Sequence, residues 1–126
     1  MADELVLIVD DNEKNVKLAR DVLRFAGFRT VEAATGGEGV ALAAKHLPDV
    51  VLMDIRLPDM DGTAAARELK NDTRTAGIPV VALTSFAMKG DRERFLAEGF
   101  DGYLEKPISV KDFPEQVRGY CASTGA

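Results

Sequence analysis

Apolar positions recur along this chain in two rhythms. Unbroken apolar runs occur at Leu5–Val9, Val50–Met53 and Ile78–Leu83, each bounded by turn-forming or polar residues. Such runs predict strands covered on both faces. Arg29–Ala33 alternates as a half-exposed strand should, and Gly102–Glu105 is short and mixed. Between these runs the apolar positions return every three or four residues, the spacing of a helix with one buried face. A first helix opens at Asn12-Glu13, carries Val16, Ala19, Val22, Leu23 and Ala26, and stops at Gly27. A second starts near Gly37, with Val40, Ala43, Ala44 and Leu47 on one face and Pro48 just beyond. A third runs from the loop at Gly62 to Lys70. A fourth spans about Lys89 to Glu98, softened in its first turn by Gly90 and ended by Gly99. The last is capped by Ser109 with Asp112 three residues on. Its inner face should carry Val110, Phe113, Val117 and Tyr120. Pro114 cannot donate to the preceding turn, so a distorted first turn or a later helix start is expected.

Five strands alternating with five helices predict an α/β fold, a parallel sheet doubly wound by right-handed crossovers. The solidly apolar strands belong inside the sheet and the two mixed ones at its edges. Strand order 2-1-3-4-5 meets that requirement and puts the topological switch between strands one and three. No linker, repeat or low-complexity stretch interrupts the pattern. Residues 1–126 therefore read as one domain, structured from about 4 to 121.

Composition narrows the function. The chain has 126 residues, 46% hydrophobic and 29% charged, the balance of a water-soluble globular domain. Sixteen basic against 21 acidic side chains give a net charge of −5. That balance argues against a nucleic-acid surface, which needs clustered cations. No apolar run approaches the roughly 20 residues of a membrane helix. The start, Met1-Ala2-Asp3-Glu4, is acidic, unlike a secretory signal. With one cysteine, Cys121, there is no internal disulfide, and a reducing cytoplasm is the expected compartment.

The polar residues that directly follow the interior strands converge on one rim. They are Asp10 and Asp11 after strand one, Asp54 at the end of strand three, and Thr84-Ser85 after strand four, with Lys106 joining from the edge strand. Singly, each has an ordinary explanation: Asp11 or Asn12 as a cap of helix one, Thr84 as a cap of helix four, Lys106 facing solvent. Together they are hard to dismiss. Two carboxylates about 4 Å apart repel by about 4 kcal/mol at an effective dielectric of about 20. A cluster of three calls for a cation, and hard oxygen ligands in a part-open array suit Mg2+ beside a phosphate. Lys106 adds a point charge suited to a phosphoryl oxygen, and Thr84 adds a hydroxyl donor.

The strings Ile8-Val9-Asp10-Asp11-Asn12 and Met53-Asp54-Ile55-Arg56-Leu57-Pro58-Asp59-Met60-Asp61-Gly62, with Leu83-Thr84-Ser85 and Lys106-Pro107, resemble response-regulator receiver domains of the CheY type. The resemblance covers essentially the whole chain in order. Phe86-Ala87-Met88-Lys89-Gly90-Asp91 and Lys106-Pro107-Ile108-Ser109-Val110 look more like single-domain DivK-type regulators and receivers of hybrid kinases. The resemblance implies that Asp54 accepts a phosphoryl group from a phosphohistidine on a sensor histidine kinase or histidine phosphotransfer protein. It implies Mg2+, with Mn2+ as a substitute, held by Asp11, Asp54 and the Arg56 backbone carbonyl, with Asp10 acting through water. It makes Lys106 and Thr84 partners of the phosphoryl oxygens, Thr84 and Tyr103 the switch pair, and the helix four, strand five, helix five surface the face read by a downstream protein. The Lys106-Pro107 bond should be cis. Arg56 lies where the family tunes water access. Such a protein is not an enzyme in the ordinary sense, since it catalyses only its own phosphorylation and dephosphorylation. With only Cys121 to Ala126 after Tyr120, no output domain is expected, so the signal should leave by protein–protein contact or by phosphorelay. His46, the single histidine, reads as a surface residue, so the donor must be another molecule.

Other readings fit less well. A phosphohydrolase with an aspartyl nucleophile needs a second Asp two residues on as general acid, where this chain has Arg56. The EF-hand-like positions Asp59, Asp61, Gly62 and Glu68 would put Leu57 at the first ligand position. Gly36-Gly37-Glu38-Gly39 lacks the spacing and setting of a dinucleotide turn. A flavodoxin would suffer repulsion between the three carboxylates and its flavin phosphate. A phosphorylation-independent adaptor has no need of the whole chemical set.

Overall fold

The computed structural model describes residues 4–85, 91–106 and 108–121. Five strands, β1 (Leu5–Val9), β2 (Arg29–Ala33), β3 (Val50–Asp54), β4 (Val80–Thr84) and β5 (Gly102–Glu105), alternate with five helices. These are α1 (Glu13–Phe25), α2 (Gly36–His46), α3 (Gly62–Asn71), α4 (Asp91–Ala97) and α5 (Phe113–Tyr120). All neighbouring strand pairs are parallel, in the order β2-β1-β3-β4-β5. The two mixed strands are the edges, as their patterns require.

Successive side chains of a strand point to opposite faces, and each face has its own core. Leu7, Val9, Val51, Met53, Val80 and Ala82 pack with Ala43 of α2, Ala65, Ala66 and Leu69 of α3, and Phe95 of α4. Val6, Ile8, Val50, Leu52, Val81 and Leu83 pack with Ala19 and Leu23 of α1 and Phe113 and Val117 of α5. Burying each Val, Leu, Ile, Met or Phe among them contributes about 1.5–3 kcal/mol, so the interior strands are firmly held and their carboxyl ends are fixed in space.

Local chemistry sets the helix ends. The Asn12 side chain accepts from Lys14 N and Asn15 N, capping α1, and Gly27 follows that helix at φ 100°. Gly99, at φ 108°, follows α4. Two apolar expectations fail at such ends. Leu47 does not continue the inner face of α2; it is the left-handed C-cap, at φ 48°, and 56% exposed. Val110 is 62% exposed because α5 begins only at Phe113. Pro114 is the reason, since it fits the first helical positions and no deeper one. Ser109 and Asp112 do pair, with Asp112 N donating to Ser109 Oγ at 3.3 Å, but they close the turn before α5. β4 is shifted slightly, beginning at Val80 and including Thr84. Helix four is seen from Asp91; Gly90, Phe86, Met88 and the Lys106-Pro107 bond lie outside the described residues. His46 ends α2 and is exposed.

Candidate functional site

The switch between β1 and β3 opens a cleft of about 410 Å³ at the carboxyl edge of the sheet, lined by Asp11, Asn12, Asn15, Asp54, Ile55, Arg56, Thr84, Ser85, Arg94, Phe95 and Lys106. Parallel strands deliver these groups together because each ends on the same rim. Asp10 leaves β1 with its amide bonded to Ala33 O at 3.0 Å, and is 2% exposed. Its Oδ1 accepts from Asn12 N at 2.9 Å, and its Oδ2 accepts from Lys106 Nζ at 2.9 Å. Asp54 ends β3; its Oδ1 accepts from Arg56 N at 3.3 Å and its Oδ2 lies 3.3 Å from Lys106 Nζ. Oxygens of Asp10, Asp11 and Asp54 lie within 4.8 Å of one another. Lys106 is fixed from behind, its amide donating to Thr84 O at 2.8 Å.

Of the ordinary explanations one holds, Asn12 as the cap of α1, and the others do not. Asn12 caps α1, which leaves Asp11 exposed at the cleft. Thr84 lies inside β4, well before α4 at Asp91, and is 6% exposed. The Lys106 side chain is only 13% exposed.

Three carboxylates face one ammonium here, so the cluster carries an excess of negative charge. Burial pushes the Asp54 carboxyl above its usual range; Lys106 opposes that and the neighbouring Asp10 adds to it. An all-oxygen donor set with surplus negative charge fits a hard divalent cation.

The β3–α3 loop is held by its own backbone. Gly62 N donates to Ile55 O at 2.7 Å, and Arg56 forms an antiparallel bridge with Asp61. A Cβ at Gly62 would run into the Asp54 carbonyl oxygen and fall 3.0 Å from Ile55 Cα. Only glycine allows the loop to fold back so tightly. Arg56 itself is exposed beside the cleft.

Two expected site residues do not line the cleft itself: Asp10, buried behind Lys106, and Tyr103. Tyr103 lies on β5. It is half-buried beside Phe95, with ring centroids 5.7 Å apart. Phe95 borders the cleft and so stands between it and Tyr103. Asn15, Arg94 and Phe95 were not foreseen as cleft residues. Asn15 sits one helical turn from Asn12 and was readable from that spacing; the α4 residues had no local signal.

With the geometry in hand, the comparisons agree closely. The chain matches the response regulator receiver domain family over residues 6–118. It belongs to that family. It is 46% identical over 115 residues to the polar-differentiation response regulator DivK of Brucella ovis, covering 91% of this chain and 94% of the relative, and equally to DivK of Brucella abortus. Among solved structures it resembles the receiver domain of the Pseudomonas aeruginosa sensor histidine kinase PA1611, at TM-score 0.85 and 34% identity over 94% of this chain and 98% of that one. That structure has a magnesium ion coordinated in its active-site cleft. It also resembles the chemotaxis response regulator CheY4 of Vibrio cholerae, at TM-score 0.87 and 25% identity over 94% and 98% of the two chains. The chain is thus a two-component signalling receiver with an acidic cation-binding pocket. No helix among the described residues is long and apolar enough to cross a membrane.

Proposed function

We propose that Asp54 is the phosphoacceptor of this receiver and that its donor is a phosphohistidine on a sensor histidine kinase or histidine phosphotransfer protein. The observation that carries this reading is Lys106 Nζ standing between Asp10 Oδ2 at 2.9 Å and Asp54 Oδ2 at 3.3 Å, inside a cluster of three carboxylates. An Asp54 oxygen attacks phosphorus in line; the O–P bond forms as the N–P bond to the imidazole breaks, and the leaving imidazole takes up a proton. Catalysis of such a transfer is mainly positioning and electrostatics. The buried strand β3 and the Arg56 amide orient the carboxylate. Lys106 neutralises charge growing on one phosphoryl oxygen, and the Thr84 hydroxyl donates to another.

Asp11, Asp54 and the Arg56 carbonyl would hold Mg2+, or Mn2+ in its place, with Asp10 acting through water. When bound, the cation supplies positive charge against the transferring oxygens. Thr84 closing on a phosphoryl group gives the differential contact a two-state switch needs. Tyr103 follows it inward, and the α4–β5–α5 face is then read by a downstream protein, or the phosphoryl group passes onward in a relay. Arg56, at the mouth, governs the access of hydrolytic water. This activity belongs in the cytoplasm.

The test is to incubate the protein with Mg2+ and a small phosphodonor. An acid-stable, base-labile adduct that is lost in Asp54→Asn supports the reading. An adduct retained in Asp54→Asn, or continual phosphate release with no adduct, overturns it.

A further inference from the structure

Asp59, four residues into the loop after Asp54's neighbour Ile55, lies far in sequence from the residues it holds. Its Oδ1 accepts from Gly36 N at 2.8 Å and its Oδ2 from Gly37 N at 2.9 Å. These are amides of the first turn of α2, which have no partner within the helix. The two amides hold the Asp59 carboxyl below its usual range, and the helix dipole adds to their pull. Little room is left around the contact: a Cβ at Gly36 would fall 2.5 Å from Cγ of the Met60 side chain, and one at Gly37 would fall 3.3 Å from Asp59 Oδ2. One turn on, Gly39 lets α2 press on β1, since a Cβ there would meet Val9 Cγ2 at 2.8 Å. The helix therefore touches both arms of the acidic cleft. Through Gly39 it is keyed to Val9, whose neighbour is Asp10. Through Gly36 and Gly37 it is keyed to Asp59, whose loop carries Arg56.

We propose that the Asp59 clamp on Gly36 and Gly37 is a positioning device that fixes the Arg56 backbone relative to Asp54, and so sets how tightly the cluster holds a divalent cation. The inference rests on the cation site proposed above. Ile55, Leu57 and Met60 also pack the loop against the core, but apolar packing is not directional, and the Asp59 bonds tie the loop to a definite place on α2. The loop's own closure, Arg56 with Asp61 and Gly62 with Ile55, fixes its shape but not its stance against the rest of the sheet. Asp59 never touches the cation or the phosphoryl group; it acts through the loop.

The test measures Mg2+ affinity by titration calorimetry for the wild type, Asp59→Ala, Asp54→Asn and Glu38→Gln. Glu38→Gln removes one negative charge from the same end of α2, where Glu38 Oε1 accepts from Ala34 N at 2.9 Å, without touching the clamp. Asp59→Ala should weaken Mg2+ binding about tenfold, the usual loss when a group orienting a metal ligand is removed. Glu38→Gln should stay within about twofold, because its charge is exposed and screened. In amide NMR spectra the Gly36 and Gly37 resonances should lose their carboxylate-bonded shifts in Asp59→Ala, and the Arg56 amide should move with them. Phosphorylation of Asp59→Ala should be slow at low Mg2+ and return to the wild-type rate at saturating Mg2+, as a positioning loss requires. Should Asp59→Ala not fold, Asp59→Asn, which keeps the side-chain size and one acceptor, is measured in its place. Unchanged affinity in the Asp59 variant, or an equal loss in Glu38→Gln, overturns the clamp while leaving the cation site intact. A wild type that binds no Mg2+ overturns both.

Discussion

The Lys106 ammonium sits 2.9 Å from an Asp10 carboxylate whose side chain is 1% exposed. Residues 96 positions apart in sequence thus form the pair that closes the floor of the cleft. Removing one partner of a buried pair leaves the other charge uncompensated and costs about 3–5 kcal/mol. Lys106→Met should therefore lower the unfolding free energy by about 3 kcal/mol in metal-free solution. Mg2+ should restore part of that loss, since a ligand that binds only the folded state stabilises it. Urea unfolding with and without Mg2+ measures both effects; a Lys106→Met protein as stable as the wild type contradicts this role.

Asp54 gives the opposite sign. Its folded-state carboxyl titrates above the usual range because of burial first, with Asp10 adding to the effect and Lys106 opposing it. A group shifted upward contributes stability that is present below its unfolded-state value of 3.8 and is lost as pH rises through the folded-state value. At neutral pH the ionised carboxylate is a liability, and Asp54→Asn should be more stable than the wild type. The gain should vanish in acid below the unfolded-state value and shrink when Mg2+ is added. An Asp54→Asn midpoint in urea below that of the wild type, at neutral pH without metal, contradicts it.

Leu47 offers a stabilising change away from the site. It sits at φ 48° with 56% of its surface exposed, a conformation that costs a non-glycine residue about 1–2 kcal/mol. Leu47→Gly should raise stability by about 0.5–1 kcal/mol, because little burial is lost and the strain is relieved. Thermal unfolding reads the change directly, and a fall in midpoint contradicts it.

Cys121 is 3% exposed, and its thiol is pushed up to about 12 by burial first and then by the charges of Glu4 and Asp49. A thiol reagent at about pH 8 should leave it untouched in the native protein and titrate it fully in urea, because only the thiolate reacts. The same shift contributes stability that is intact below 9.0 and is lost as pH rises toward about 12. Rapid native-state labelling contradicts this placement.

The strand order and the acidic cluster were legible because both follow from short-range patterns. Solid apolar runs mark interior strands, and polar residues directly after them must share one rim. Leu47 and Val110 misled because hydrophobic spacing says nothing of where a helix stops; a left-handed cap removed one and Pro114 excluded the other. Arg94 and Phe95 reach the cleft through the packing of α4 on β5, which no local signal encodes. Asp59 was readable only as part of a failed calcium-loop pattern, because its partners lie 22 and 23 residues upstream. Gly36 and Gly37, set aside as a poor dinucleotide turn, are the other half of that contact.

The central claim is that the phosphoryl group is carried on Asp54. Borohydride reduces an acyl phosphate on an aspartate to homoserine and leaves free carboxylates alone, so peptide mass spectrometry after phosphorylation and reduction locates the carrier. Homoserine at position 54 and nowhere else is the predicted result. Homoserine at Asp10 or Asp11, or at no position in a protein that has taken up label, contradicts the account.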